Sequence, residues 1–239
     1  MVKQNLFHVR QRILSACARV GRDPAGVTLV AVTKNRTVKE IEEAFKAGIT
    51  DIGENRVQEA FLKHRQFLEG GGDATAVFRD IKWHLIGHLQ TNKVREAVAI
   101  FDLIHSVDSL RLAWKINKEA GRINKIQKIL LEVNASGEAS KYGFAPRDLN
   151  ISIKGLSGLN NLRVCGLMTV APITDSPEHS RVYFKALKEL RDNIDALGLT
   201  GCRPGILSMG MTGDFEVAIE EGAGMIRLGR AIFEGQNAG

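Results

Sequence analysis

Cysteine is scarce in this chain: Cys17, Cys165 and Cys202 are the only three in 239 residues, and no two of them form a CxxC pair. An odd, scattered set supports neither a disulfide framework nor a zinc site, and it fits a reducing, cytoplasmic setting. No apolar stretch approaches the roughly 18 residues of a membrane span. The first residues, MVKQNLFHVRQRIL, lack the apolar segment and small-residue cleavage site of a secretory signal. Also missing are a GxSxG elbow, a P-loop, and any cluster of carboxylates around the six scattered histidines, so no metal is expected. The net charge of +6 suits an anionic ligand, but basic and acidic residues are interspersed along the whole chain. No basic run interleaves with aromatics, and a nucleic-acid partner is not expected.

What is present is a rhythm. Leu6, Val9, Ile13, Cys17 and Val20 lie on one helical face, and Gly21 with Asp23-Pro24 ends that helix. Eight strands are then expected at Val27–Thr33, Asp51–Glu54, Lys82–Gly87, Leu103–Val107, Lys128–Asn134, Arg163–Val170, Ile206–Gly210 and Met225–Gly229. Most are continuous apolar runs, which suit parallel strands covered on both faces. Amphipathic stretches separate them, such as Val38, Ile41 and Phe45, or Tyr183, Leu187, Leu190 and Ile194. Ser176 before Pro177 reads as a capped helix start. Gly48, Gly121, Gly198 and Gly222 each follow a helical stretch.

Eight alternating units argue for one α/β domain over residues 1–239, a (β/α)₈ TIM barrel with an extra N-terminal helix at 1–22 packed on it. A doubly wound sheet would carry a glycine fingerprint after its first strand, where this chain reads TKNRT. The glycine-rich run at 69–73 reads as an exposed loop tip rather than a linker.

A barrel works at the C-terminal ends of its strands. Lys34 follows the apolar run Leu29–Val32, where partial desolvation would expose a nucleophilic amine; the alternative is an ordinary surface lysine. After strand seven come Ser208, Gly210, Met211, Thr212 and Gly213, with Asp214 placed to cap a helix. Loops seven and eight of barrels often bind phosphate. Arg227 sits inside an apolar strand and needs either a ligand or an ion-pair partner such as Glu54. His84 and His88 lie in and just past a strand, a poor arrangement for sharing a metal.

Seven segments together resemble the pyridoxal phosphate homeostasis protein family, barrels akin to the barrel half of alanine racemase. They are AVTK at 31–34, GENRVQE at 53–59, WHLIGHLQTNK at 83–93, SVDS at 106–109, SKYG at 140–143, GLMT at 166–169 and the run from Leu207 to Gly235. The resemblance implies a fold-type III barrel without the racemase's C-terminal β-domain. It implies pyridoxal 5′-phosphate (PLP) held as a reversible Schiff base on Lys34. Ser208, Met211, Thr212 and Gly229 match phosphate-cradling positions, with Gly210 beside them. Arg227 matches the arginine facing the pyridine nitrogen, Asn55 and Met168 match positions near the ring, and Lys141 matches a loop lysine by the site.

The implied function is intracellular PLP homeostasis by a non-catalytic, cytoplasmic monomer that gives the cofactor to apoenzymes. A weak amino-acid racemase is the alternative. Against the racemase, the chain has only two tyrosines, Tyr142 and Tyr183, and an arginine opposite the ring nitrogen disfavours its protonation. The chain departs from the family's commonest pattern at Arg36 and at Arg56, where lysine and tyrosine are frequent. Arginine at 36 excludes a second imine there.

Overall fold

In the computed structural model, β1 (Thr28–Val32) pairs in parallel with both β2 (Asp51–Glu54) and β8 (Met225–Leu228), which closes the sheet on itself. Between them the order is β3 (Lys82–Leu85), β4 (Leu103–Val107), β5 (Gln127–Glu132), β6 (Leu162–Met168) and β7 (Cys202–Ser208), all parallel, in a closed barrel. The structure describes residues 1–69, 79–156, 158–198 and 202–234. From residue 70 onward, the glycine-rich run at 69–73 lies outside them.

A helix follows each strand. They are α2 (Val38–Lys46), α3 (Val57–Glu69), α4 (Val94–Ile100), α5 (Leu110–Arg122), α6 (Pro146–Lys154), α7 (Arg181–Asp195), α8 (Phe215–Glu220) and α9 (Arg230–Phe233), with α1 (Val2–Arg19) preceding the barrel. Local chemistry starts several of them. Thr37 and Glu40 form a reciprocal capping box at α2, and the Ser109 hydroxyl accepts the Leu112 amide at α5. Ser176 differs from expectation. Its side chain makes no cap; its carbonyl instead accepts the His179 amide, and a 3₁₀ turn over Pro177–Ser180 leads into α7.

Strand β7 starts at Cys202, ahead of the expected Ile206, and runs through Pro204 and Gly205. The β6–β7 register shifts between Val164 and Gly166. A Cβ on Gly166 would stand 2.0 Å from the Ile206 carbonyl oxygen, so this close approach requires glycine.

Apolar packing lies mostly between strands and helices, where Phe67, Phe101, Phe184 and Phe215 are fully buried. A separate cluster gathers Val30, Leu103, Leu130, Met168 and Met225 from β1, β4, β5, β6 and β8. Beside it Asp51, His84, His105, Ser208 and Arg227 are all buried, so apolar layers and a polar column share the strands. Helix α1 packs on α8 and α9. Arg12 grips Glu216 at 3.0 and 3.3 Å, and Asn5 donates to the Ile232 carbonyl at 2.9 Å.

Candidate cofactor site

Lys34 stands two residues past the end of β1, on a short turn closed by the Arg36 amide donating to the Thr33 carbonyl at 3.0 Å. The flanking residues are tied down. The Thr33 carbonyl accepts Lys63 Nζ at 2.6 Å, the Thr33 hydroxyl donates to Glu54 Oε1 at 2.6 Å, and the Asn35 amide donates to Glu59 Oε1 at 2.5 Å. Lys63 also bonds both Glu54 and Glu59 at 2.7 Å. Asn35 takes φ of 59°, a left-handed conformation that asparagine tolerates. One buried ion cluster thus fixes the backbone that carries the amine. The amine itself is exposed. Of the two readings of Lys34, the surface lysine is the one found, because the chain has already left the barrel wall at this position.

Lys34 borders a cavity of about 660 Å³ at the C-terminal mouth. Met211, Thr212, Gly213 and Asp214 from the loop after β7 line it, with Arg227, Gly229 and Arg230 from the end of β8 and Ala171–Asp175 after β6. Gly210 has φ of +92°, and a Cβ there would lie 2.6 Å from Ala218 Cβ. Glycine therefore lets the loop fold tightly onto α8. Asp214 does not cap α8 with its side chain; its carboxylate turns back and accepts the Met211 amide at 2.6 Å. That closes the rim as a turn.

Arg227 is buried, and its guanidinium is fixed by two bonds: Nη1 to Ser208 Oγ at 2.6 Å and Nη2 to the Thr169 carbonyl at 2.9 Å. The Glu54 ion pair is not formed, since Lys63 and Thr33 already hold that carboxylate. Burial lowers the Arg227 pKa to about 10, opposed by Asp214 and Glu132, so the group remains a cation at neutral pH. Glu132, at the end of β5, is pushed up to about 7 by burial and by Asp108, against the pull of Arg227. Its Oε2 is buried with no hydrogen-bond partner.

The cavity thus brings together Lys34, Met211, Thr212, Arg227 and Gly229. Ser208 and Gly210 stand behind it, the first holding Arg227 and the second shaping the loop. Asn55 and Met168 are not among its lining residues. Met168 packs in the interior cluster, and Asn55 meets Gly87 where β2 and β3 end. Lys141 donates to the Val170 carbonyl at 3.3 Å, and the exposed Tyr142 ring stacks on His88 at 3.8 Å. Arg36 reaches the cavity paired with Glu234. Among the described residues no group of His, Cys, Asp and Glu could hold a metal, and no helix is long and apolar enough to cross a membrane.

Sequence reasoning missed Lys63, Glu59, Glu132 and His105. For His105 and Glu132 a signal existed: polar residues inside apolar strands, the same mark that singled out Arg227.

This barrel, with its lysine after the first strand and its arginine in the last, defines an alanine-racemase-like PLP-barrel class: residues 5–237 match the family described as alanine racemase, N-terminal domain. The chain is 41% identical over 230 residues to the pyridoxal phosphate homeostasis protein of Aquifex aeolicus (strain VF5), covering 96% of each. It also matches the solved structure of PipY of Synechococcus elongatus PCC7942 with PLP bound, at 33% identity and a TM-score of 0.82, covering 98% of this chain and all of that one. The chain belongs to the pyridoxal phosphate homeostasis protein family. The alanine racemase of Clostridium difficile 630 shares the fold, with a TM-score of 0.70 at 14% identity, and this chain spans 58% of its length.

Proposed function

We propose that the protein holds PLP covalently through Lys34 and serves intracellular PLP homeostasis, buffering the cofactor and releasing it to apoenzymes. The reading rests on one observation above all: an amine, a buried guanidinium and a tight threonine- and glycine-bearing rim line a single cavity of about 660 Å³. That volume lies within the usual range for small-molecule sites, and the donor set suits an aromatic aldehyde carrying a phosphate. PLP supplies an aldehyde that bonds reversibly to an amine and a ring that withdraws electrons when its nitrogen is protonated.

In this reading Lys34 is the anchor, held in place by Lys63, Glu54 and Glu59. Met211, Thr212 and Gly229 take the phosphate, with Ser208 and Gly210 supporting them. Arg227 offers a fixed cation to the ring. Asn55 and Met168 support the strand ends around it. A cation at Arg227 disfavours a second positive charge on a ring nitrogen facing it, which suits holding the cofactor better than carbanion chemistry.

The non-catalytic reading is preferred over a weak racemase because Tyr142 is stacked on His88 and the described cavity lining holds no tyrosine. We further propose a cytoplasmic monomer. The deciding experiment is to load the protein with PLP, record its visible absorbance, reduce it with borohydride and map the adduct by mass. A yellow protein with a pyridoxyl group on Lys34 is expected. A protein that stays colourless and unmodified with excess PLP would end this reading.

A further inference from the structure

An unbroken hydrogen-bonded column runs through the barrel. Arg227 Nη1 meets Ser208 Oγ at 2.6 Å, Ser208 Oγ meets His105 Nδ1 at 3.0 Å, His105 Nε2 meets His84 Nδ1 at 2.9 Å, and His84 Nε2 meets Asp51 Oδ1 at 3.0 Å. Every member is buried. The column links the two ends of the barrel. Arg227 lines the cofactor cavity at one mouth, while Asp51 lines a second cavity of about 520 Å³ at the other, with Arg10, Thr28, Thr50 and Lys82.

The chemistry of the two ends dictates the direction of every bond. A guanidinium only donates and a carboxylate only accepts. With neutral imidazoles, Arg227 donates to Ser208, Ser208 donates to His105 Nδ1, His105 Nε2–H donates to His84, and His84 Nε2–H donates to Asp51. No other assignment with neutral rings fills all four links. Adding one proton fills all four links in either of two ways. With the charge on His105, its Nδ1–H donates to Ser208 and its Nε2–H to His84, but burial beside Arg227 disfavours a cation there. The favoured pattern puts the charge on the other ring. His84 then carries hydrogens on both nitrogens, His105 turns to the Nδ1–H form, and the Ser208 oxygen accepts from His105 and Arg227 at once. This pattern differs from the neutral one by one proton, and the charge rests on His84 against Asp51.

We propose that Asp51, His84 and His105 form a proton-coupled positioning relay that sets how firmly Ser208 holds Arg227 in the cofactor cavity. The inference rests on the PLP reading for its consequence, but not for its chemistry. In the neutral pattern Arg227 is the sole donor to Ser208. In the charged pattern it shares that oxygen and faces a further cation along the column, so its hold loosens.

The surroundings favour the neutral pattern near neutrality. Burial, with His84 and Arg227 nearby, keeps His105 well below the ordinary imidazole range. Burial acts to raise Asp51, but bonds from His84 and Thr50 and the charge of Lys82 outweigh it and hold the carboxyl low. Arg227 faces Asp214 and Glu132, and Glu132 faces Asp108. The relay residues are positioning residues: only Arg227 reaches the cavity.

The test begins with ¹⁵N-histidine NMR on PLP-free protein from pH 8 to 5. At pH 8 both His84 and His105 should be Nε2–H. On acidification His84 should gain its second proton and His105 should change tautomer at one shared midpoint. In Asp51→Asn that midpoint should drop by about one pH unit or more. PLP affinity of the native protein should fall roughly tenfold across the midpoint, while Asp51→Asn should show no step in that window. An Nδ1–H form of His105 at pH 8, separate midpoints for the two rings, or an Asp51→Asn protein with the native pH profile would overturn the relay. If Asp51→Asn does not fold, the tautomers of the native protein decide. If the native protein binds no PLP, the cofactor reading fails and the NMR still judges the relay.

Discussion

Lys63 Nζ lies 2.6 Å from the carbonyl oxygen of Thr33, one residue before Lys34. The same ammonium bonds the fully buried Glu54, whose pKa burial raises against the opposing pull of Lys63 and Thr33. Lys63→Met removes the cation and leaves the buried Glu54 carboxylate with the Thr33 hydroxyl but no charge partner, at a penalty of about 3–5 kcal/mol. The loss should be larger at pH 8 than at pH 5, because a protonated Glu54 tolerates the missing partner. Thermal melts at the two pH values check this. PLP affinity should fall too, since one of the anchors beside Lys34 is gone.

Glu132 supplies a pH signature in the opposite sense from a usual ion-paired carboxylate. Its pKa is raised to about 7 by burial and by Asp108. A group raised above its unfolded value contributes most at low pH, and that contribution fades as pH climbs from about 4.5 through 7. Glu132→Gln keeps the shape and removes the titration. It should match the native protein near pH 4.5 and be more stable at pH 8, by about 3 kcal/mol. Chemical denaturation of PLP-free protein at both pH values is the measurement, and equal differences at both would contradict the assignment.

Arg227→Gln tests the cation on the cavity floor. Glutamine cannot reach both Ser208 Oγ and the Thr169 carbonyl as the guanidinium does. PLP should bind at least about tenfold more weakly, the scale of one lost charge-assisted bond, and its absorbance maximum should move. Unchanged affinity and spectrum would make Arg227 a structural residue only.

Alanine racemisation by the PLP-loaded protein should stay within about tenfold of the free cofactor's rate. Enzymes typically accelerate their reactions by about 10⁶-fold or more. A rise of that size, lost in Lys34→Ala, would establish the racemase reading instead.

Strand order and the barrel were legible because both rest on local patterns. Continuous apolar runs between amphipathic helices mark buried parallel strands, and Asp51–Glu54 and Leu103–Val107 coincide with observed strands. Lys34 and Arg227 stood out by their strand-end and mid-strand positions, and the loop after β7 by its glycines. Side-chain direction was less legible. Asp214 could cap a helix or turn back on Met211, and only the loop's actual path chose the second.

Read as a string, the residues thus specify the alternation of elements, the family and the rim on which chemistry belongs, because those depend on spacing of a few residues at a time. What the string left open was decided by closure of the barrel. Closure puts Lys63 under Thr33, denies Glu54 to Arg227, and lines up Asp51, His84, His105 and Ser208 although they span residues 51 to 208. Such contacts arise only when parallel strands take register around a ring, and no local periodicity records which inward-facing polar groups will meet there.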